Sequence, residues 1–155
     1  KKLGIDVEPV DRVEEAIKDC DIIITATTSS RPVVKGKWLA DGAHINAIGS
    51  YYPHARELDT ETILKAKVVV DLKKAALEEA GDIIIPIKEG TITEHHIYAE
   101  LGDIVAGKKT GRTKEEEVTV FKSVGLAIQD AAAAILAVRK SSAHYLNPVQ
   151  NEHVT

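Results

Sequence analysis

Small hydroxyl side chains follow two of the apolar runs in this sequence, and they are well suited to contact a ligand. Residues 27–30 are all threonine or serine and come directly after the run 21–26, while Ser123 comes after the run 118–122. Such side chains let a flat ring or a ribose approach the backbone closely. They are equally compatible with ordinary polar loops, so their meaning depends on the elements that position them.

One segment imitates a phosphate-binding loop. Residues 102–108 have the spacing G-x-x-x-x-G-K, but the next residue is Lys109, where the motif requires a serine or threonine to hold magnesium. The segment also lies at the end of a predicted amphipathic helix, whereas a phosphate loop joins a strand to the start of a helix. No G-x-G-x-x-G motif occurs, and no acidic residue stands where a ribose hydroxyl would be bound. We therefore interpret the cations of residues 108–112 as part of a solvated loop.

The histidines and the single cysteine do not form a recognisable reactive group. His95 and His96 are adjacent, so on a helix their side chains point about 100° apart and cannot easily share a metal ion. His44 leads into an apolar run, which favours a hydrogen-bonded core histidine. Cys20 has no credible catalytic partner, and no serine occupies a nucleophile elbow. The sequence therefore predicts neither a metal site nor a catalytic triad.

Short apolar runs alternate with amphipathic segments along the chain, which predicts an α/β fold with a parallel sheet and helices on both faces. Strands buried on both faces are predicted at residues 21–26, 44–49, 67–71 and 118–122. Helices are predicted at residues 11–19, 36–40, 56–65, 72–80, 93–105 and 124–139, with a polar tail from Ser141. Gly81 is expected to be a helix C-cap and the run 82–86, which contains a proline, a strand end or edge strand. In such sheets ligands bind at the carboxyl ends of the strands.

Composition and charge exclude several classes of partner. Hydrophobic residues make up 44% and charged residues 28% of the 155 residues, as in ordinary globular proteins. The net charge of −4 argues against a nucleic-acid interface, which requires a basic face. No apolar run approaches membrane-spanning length, and Cys20 is the single cysteine, so no internal disulfide can form. We expect no nucleic-acid or membrane partner and a cytoplasmic location.

Several sequence blocks, in this order, resemble the ornithine cyclodeaminase/mu-crystallin family. They span the chain from about residue 11 to residue 138: A-T-T-S at 26–29 with P-V at 32–33, H-I-N-A-I-G at 44–49 with R-E-L-D at 56–59, V-V-V-D at 68–71, E-L-G-D-I-V-A-G at 100–107, and T-V-F-K-S-V-G-L-A-I-Q-D at 119–130. The resemblance implies an NAD- or NADP-dependent protein with a Rossmann-type domain. The present chain would be a partial one, without the first βαβ unit and its G-x-G-x-x-G loop.

The resemblance also implies a domain organisation. Residues 1–127 correspond to the partial NAD(P)-binding domain. Residues 128–155 correspond to a C-terminal helix and tail that would return to a separate substrate and dimerisation domain. That other domain would also form the dimer, so the full-length protein is expected to be a homodimer. It would supply the substrate-binding lysine and arginine, so these 155 residues alone are expected to be inactive.

By position, the resemblance assigns roles to individual residues at the strand ends. Ser123 and Val124 would contact the cofactor and line the substrate side, respectively. The remaining residues expected to bind the cofactor are Thr27, Ile45, Asn46, Ala47 and Ile48.

Two positions depart from the pattern of the family's cyclodeaminases. The catalytic aspartate expected two residues after Gly49 is replaced by Tyr51, which Ser50 precedes, and the lysine four residues further on is replaced by Ala55. An unperturbed tyrosine has a pKa of about 10, so it is a poor base at neutral pH, but it can donate a proton or hydrogen bond to an imine.

The blocks 56–59 and 121–123 also resemble the imine-reductase and mu-crystallin side of the family. We therefore expect reduction of a cyclic imino acid or ketimine to an amino acid, with Tyr51 and Ser50 as catalytic residues. Ornithine cyclodeaminase, alanine dehydrogenase, and a non-catalytic binder of NADPH or a small hydrophobic ligand remain alternatives.

Overall fold

The computed structural model describes residues 4 and 6–145 of the chain. These residues belong to two compact units, Lys1–Val124 and Gly125–Thr155. The first unit contains a parallel sheet with helices packed against it. In the second unit, the described element is a 19-residue helix, α6 (Ala127–Tyr145).

Five short strands form the sheet: β1 (Ile22–Thr25), β2 (His44–Ala47), β3 (Lys67–Val70), β4 (Ile97–Glu100) and β5 (Thr119–Lys122). All neighbouring pairs are parallel, and the spatial order is β1-β2-β5-β3-β4. β2 and β3 are therefore not neighbours, because β5, the last strand in the sequence, lies between them. This arrangement confirms the predicted α/β class and brings the carboxyl ends of all five strands to one edge.

Helices of five to eight residues precede the first strand and connect the later ones. They are α1 (Val13–Ile17), α2 (Thr60–Lys65), α3 (Lys73–Glu79), α4 (Gly81–Lys88) and α5 (Leu101–Val105), with 3-10 turns at Gly36–Trp38 and Glu94–His96. The helix predicted at 56–65 begins only at Thr60, because the carboxylate of Asp59 caps it by accepting the Thr62 N–H at 2.8 Å. Residues 56–58 lie outside this helix.

Alternate residues of the strands form the core, where Ile45, Val68 and Val70 are fully buried. The prediction that the strand at 21–26 is buried on both faces is wrong. Ile23 is 4% exposed, but Ile22 and Ile24 are 64% and 65% exposed. The isoleucine run has the composition of a two-sided strand, yet β1 lies at an edge of the sheet and one of its faces remains uncovered among the described residues.

The run 82–86, predicted as a strand end, is instead part of helix α4. A short apolar run has no periodicity that separates a strand from a buried helix, and tertiary packing decides. Here Ile83 and Ala80 join the core. Pro86 lies inside this helix, and its carbonyl accepts the N–H groups of Thr91 and Ile92 at the end of the helix.

The single helix predicted at 93–105 is also wrong. The segment forms a 3-10 turn, strand β4 and the five-residue helix α5. Ile97 and Ala99 alternate into the core as β4 pairs with β3, whereas the helix prediction rested on the spacing of Ile97, Leu101, Ile104 and Val105. The side chain of Thr93 makes no cap hydrogen bond.

Two further predictions differ from the structure. Gly81 does not end a helix in a left-handed conformation but begins α4, where a Cβ would lie only 2.0 Å from the carbonyl oxygen of Ala55. The glycine is therefore needed for close backbone approach. The last helix runs to Tyr145 rather than residue 139, and the rest of the predicted tail, residues 146–155, lies outside the described residues.

Candidate active site

The candidate site lies at the carboxyl edge of the sheet, where the loops that follow β1, β2, β3 and β5 begin. Beyond the last paired residues of β1 and β2, Thr25 and Ala47, one further backbone bond joins Ile48 N–H to the Thr25 carbonyl at 2.9 Å. After this bond the two chains separate into loops. Polar side chains then take over the positioning of the backbone.

Glu57 joins the two loops with a single buried carboxylate. Its side chain is fully buried, and Oε1 accepts the Thr27 N–H at 2.6 Å. Its Oε2 accepts the Thr25 hydroxyl and the Gly49 N–H, both at 2.8 Å. Burial raises the pKa of Glu57, but these hydrogen bonds to the charged form more than offset burial, so the pKa lies below its ordinary value.

Gly49 stands at the closest approach between the two loops. A Cβ at this position would lie 2.3 Å from the Thr27 nitrogen and 2.4 Å from both the Thr27 oxygen and Glu57 Oε1. These are backbone and buried atoms that cannot move away cheaply. The glycine in the H-I-N-A-I-G block is therefore required by the packing of β2 against the end of β1.

A buried ion pair supports the same edge from behind. Lys122, the last residue of β5, and Asp82 of α4 are both fully buried, with Nζ and Oδ2 3.0 Å apart. This ion pair is the only polar contact of Asp82 Oδ2 within the described residues. The lysine also donates to the carbonyl of Ser50, and Asp82 Oδ1 accepts the N–H groups of Glu57 and Leu58 at 2.8 Å. The pair thus ties the loop after β2 to the segment that carries Glu57.

A third buried carboxylate fixes the loop after β5. Asp71 follows β3, and its Oδ2 accepts the Ser123 hydroxyl at 2.7 Å and the Val124 N–H at 2.9 Å. Its Oδ1 accepts the N–H of Leu72 at 2.8 Å. The ends of β3 and β5 are therefore linked in the way that Glu57 links the ends of β1 and β2.

Aromatic side chains project from the loop after β2. Tyr51 and Tyr52 are 49% and 52% exposed, and their ring centroids lie 4.5 Å apart. Tyr52 also stacks on His54 with centroids 5.6 Å apart. A hydrogen bond with Tyr51 raises the pKa of the Tyr52 phenol, so this group keeps its proton. Ser50, just before them, is buried and donates its hydroxyl to the Ala55 carbonyl at 2.6 Å.

The residues predicted for the site occupy two levels. The structure brings one group to the carboxyl edge: Thr27, Ile48, Ser50, Tyr51, Ser123 and Val124. The others lie within β2. Ile45 and Ala47 are fully buried in the core, and Asn46 points to the opposite face.

Glu57, Asp82 and Lys122 were not predicted as site residues. A lysine at the end of an apolar strand and an aspartate directly before an apolar run are unusual enough to mark both as buried ionisable groups. Glu57 carries no such signal, since R-E-L-D has the composition of a polar loop. Its burial follows from contacts between segments 30 residues apart.

A cavity of about 470 Å³ lies on the other face of the sheet, between β2, β5, β3 and α5. It is lined by His44, Asn46, Phe121, Leu101 and Arg112, among others. The polar groups at its rim bind each other: His44 Nδ1 lies 2.7 Å from the Thr119 hydroxyl, to which Arg112 also donates. His44 is thus hydrogen-bonded, as predicted.

Two kinds of feature are absent from the described residues. Within that part of the chain, no three His, Cys, Asp or Glu side chains come together as a metal site. Nor does any helix there have the length and apolar character needed to cross a membrane.

Comparisons with known proteins place these features in a family. A sequence model of the ornithine cyclodeaminase/mu-crystallin family matches residues 1–144. A Delta(1)-pyrroline-2-carboxylate reductase of Bacillus cereus is 52% identical over 121 residues, which cover 77% of this chain and 37% of that protein.

Solved structures show the same relationship. The Delta(1)-pyrroline-2-carboxylate reductase of Thermococcus litoralis, in complex with NADH and L-proline, is 55% identical with a TM-score of 0.87 over 92% of this chain and 44% of that one. An archaeal alanine dehydrogenase dimer with bound NAD is 40% identical with a TM-score of 0.80 over 93% and 44%. The chain spans less than half the length of these relatives.

Proposed function

Because the chain belongs to the ornithine cyclodeaminase/mu-crystallin family, we propose that it is part of an NAD(P)H-dependent reductase of cyclic imino acids or ketimines. Its substrate would be of the pyrroline-2-carboxylate kind and its product the corresponding amino acid. The relatives named as pyrroline-2-carboxylate reductases support this. The observation that carries the proposal is Tyr51, half-exposed at the carboxyl end of β2, where a cyclodeaminase would carry an aspartate.

The carboxyl edge fits a nicotinamide cofactor, either NAD or NADP. Ile48 is 47% exposed although it directly follows the buried end of β2, which leaves an apolar contact for a flat ring. Thr27 and Ser123 provide small polar side chains beside it, and Val124 would border the substrate. When bound, the reduced nicotinamide supplies a hydride. The residues of β2, Ile45–Ala47, hold the strand beneath this surface.

Tyr51 and Ser50 divide the remaining work between them. As the imine carbon accepts the hydride, its nitrogen must accept a proton, and the Tyr51 phenol is an exposed donor at the end of β2. Ser50 is buried, and its hydroxyl and carbonyl are both engaged, with Ala55 and Lys122. Ser50 therefore acts by holding the turn that presents Tyr51.

The test is reduction by the natural full-length protein that contains this sequence. We expect loss of the absorbance of NADH or NADPH when pyrroline-2-carboxylate or piperideine-2-carboxylate is added. Tyr51→Phe should lower kcat by about 10²-fold or more. The matched variant Tyr52→Phe removes the neighbouring phenol and should have a much smaller effect. Turnover of neither imine by the wild-type protein would contradict the proposal, and equal effects of both variants would remove Tyr51 from its role.

The archaeal alanine dehydrogenase favours a second candidate, oxidative deamination of alanine. NAD-dependent formation of pyruvate from alanine, with no imine reduction, would establish it. Release of ammonia and proline from ornithine would instead indicate a cyclodeaminase. Saturable NADPH binding without any turnover would indicate a non-catalytic binding protein.

Assembly and location complete the proposal. The 155 residues contain no G-x-G-x-x-G loop, so we expect no reduction by this chain alone. We propose that residues 128–155 join a dimerisation domain in a full-length homodimer. The dimeric alanine dehydrogenase and the exposed apolar residues Ile128, Ile135 and Leu136 of α6 support this. A cytoplasmic location fits a chain whose single cysteine permits no internal disulfide.

A further inference from the structure

We propose that Glu57 is a positioning residue that sets the spacing of the two loops on which cofactor and imine are proposed to bind. The inference rests on the proposed function for its kinetic consequences. Its structural part concerns only the loops after β1 and β2. No step of the reaction uses Glu57, which is fully buried and does not touch the exposed surface of the site.

The first argument is the choice of atoms that Glu57 binds. The β1–β2 ladder ends with the bond from Ile48 N–H to the Thr25 carbonyl. The N–H groups of Thr27 and Gly49 lie beyond it. One carboxylate accepts both of these N–H groups, at 2.6 and 2.8 Å, and so continues the connection between strands where the sheet has ended. The Thr27 amide lies in the loop after β1, and the Gly49 amide lies in the loop after β2, which leads to Tyr51.

The second argument is that Glu57 is itself held on both sides of its backbone. Its N–H donates to Asp82 Oδ1 at 2.8 Å. Its carbonyl accepts the N–H groups of Val33 and Val34 at 2.7 and 3.0 Å. Because the backbone of Glu57 is held in place, its carboxylate holds the N–H groups of Thr27 and Gly49 at a fixed separation.

The third argument is the cost of the arrangement. Burying a carboxylate is unfavourable unless its charge is met by hydrogen bonds, and an apolar side chain would fill the same volume without that cost. Gly49 adds a second restriction, because any Cβ there would collide with Thr27 and Glu57. Two features that each reduce sequence freedom thus converge on the separation of the same two loops.

The variant Glu57→Gln tests this with almost no change in shape. An amide has one acceptor oxygen, and directing it at the Thr25 hydroxyl and Gly49 N–H preserves two of the three bonds. Its NH₂ group then faces the Thr27 N–H, which loses its acceptor. We expect the Thr27 amide to exchange with solvent about tenfold faster or more, with Gly49 less affected.

Thr25→Val is the matched control. It removes the third hydrogen bond of the same carboxylate and is equally isosteric, but both backbone N–H groups keep their acceptor. A purely structural role predicts similar losses of activity in both variants. Positioning predicts that Glu57→Gln lowers kcat/KM for imine reduction by about ten- to a hundredfold, measured on the folded full-length protein. Thr25→Val should stay within a few-fold of the wild type.

A titration of the wild-type protein keeps the proposal testable if Glu57→Gln fails to fold. The NMR chemical shifts of the Thr27 and Gly49 amides, plotted against pH, should follow one titration curve as the Glu57 carboxylate is protonated in the acid range. The amide of Trp38, which donates to the backbone carbonyl of Lys35 at 2.9 Å, should not follow that curve.

Independent titration of the Thr27 and Gly49 amides, unchanged Thr27 exchange in Glu57→Gln, or equal kcat/KM in the two variants would overturn the proposal. Absence of imine reduction by the wild-type protein would instead reject the proposed function. The exchange and titration results would still decide whether Glu57 spaces the loops.

Discussion

The two edges of the sheet hold the same kind of ion pair in different surroundings. At the carboxyl edge, Lys122 and Asp82 are fully buried and 3.0 Å apart. At the amino edge, Lys67 and Glu117 lie 2.6 Å apart with side chains 16% and 21% exposed. The amino-edge pair keeps part of its hydration, so it is cheaper to form and cheaper to lose.

The groups that each pair binds explain the difference. Lys122 and Asp82 reach the backbone of residues 50, 57 and 58, which lead into or support the proposed site. Lys67 and Glu117 bind the backbone of Gly111 and Thr113, in a surface loop without any proposed site residue. Buried charge is thus concentrated where loop geometry would matter for chemistry. The amino-edge pair serves only local stability.

The largest effect should come from Lys122→Met. The substitution leaves Asp82 as a buried charge without its cation and removes the donor to the Ser50 carbonyl. We expect a loss of about 3–5 kcal/mol in the free energy of unfolding, measured by urea denaturation. The double variant Asp82→Asn with Lys122→Met should recover part of it, because the asparagine oxygen can still accept the Glu57 and Leu58 N–H groups. A loss below about 1 kcal/mol in Lys122→Met would remove the contrast between the edges.

An intermediate effect is expected for Gly49→Ala. The new Cβ would have to displace Thr27 or Glu57, since it would lie within 2.4 Å of both. We expect a loss of about 1–3 kcal/mol in unfolding free energy, together with weaker cofactor binding. Gly102→Ala is the control: it lies in α5, where the added Cβ meets no described atom within 4 Å apart from its chain neighbours and its own helix backbone, and it should leave stability unchanged or slightly raised. Equal stability of the two alanine variants would argue against a tight contact at the carboxyl edge.

The smallest effect is expected for Lys67→Met, the amino-edge counterpart of Lys122→Met. We expect a loss of about 0.2–1 kcal/mol that shrinks further in high salt, with no change in imine reduction. The hydrogen bond from Lys67 lowers the pKa of Glu117. A carboxyl group whose pKa is lowered by folding stabilises the folded state when the pH is above the ordinary pKa of the group. This contribution is lost as the pH falls through the pKa of the folded state.

Lys67→Met should therefore flatten the acid limb of a stability curve measured by urea unfolding at a series of pH values. Glu57, whose pKa is also lowered, keeps its own contribution to that limb in this variant. A loss of stability as large as that of Lys122→Met would contradict the distinction between the edges.

The parallel sheet was predictable from the sequence, but parts of its surroundings were not. The runs at 44–49, 67–71 and 118–122 carry β-branched residues in short stretches between polar segments, and each contains a strand. The runs at 82–86 and 97–105 are compatible with two periodicities, so only their partners in the folded chain decide between helix and strand. Local pattern therefore identifies central strands better than their flanking elements.

The candidate site shows the same limit in its chemistry. Tyr51 and the strand-end hydroxyls were identifiable because they directly follow predicted strands. Glu57 was not, because a buried carboxylate is distinguished from a surface one by donors that come from distant segments. The three donors of Glu57 lie on residues 8 to 32 positions away. Sequence spacing alone does not reveal that convergence.

The most direct test of the account follows the hydride itself. The natural full-length protein would be given pyrroline-2-carboxylate and a reduced nicotinamide cofactor deuterated at its transferable position. The account predicts proline with one deuterium on the α-carbon, formed together with one equivalent of oxidised cofactor. The rate at which this proline forms should be much lower in Tyr51→Phe. Proline without deuterium, or no proline while ornithine or alanine is converted, would contradict it.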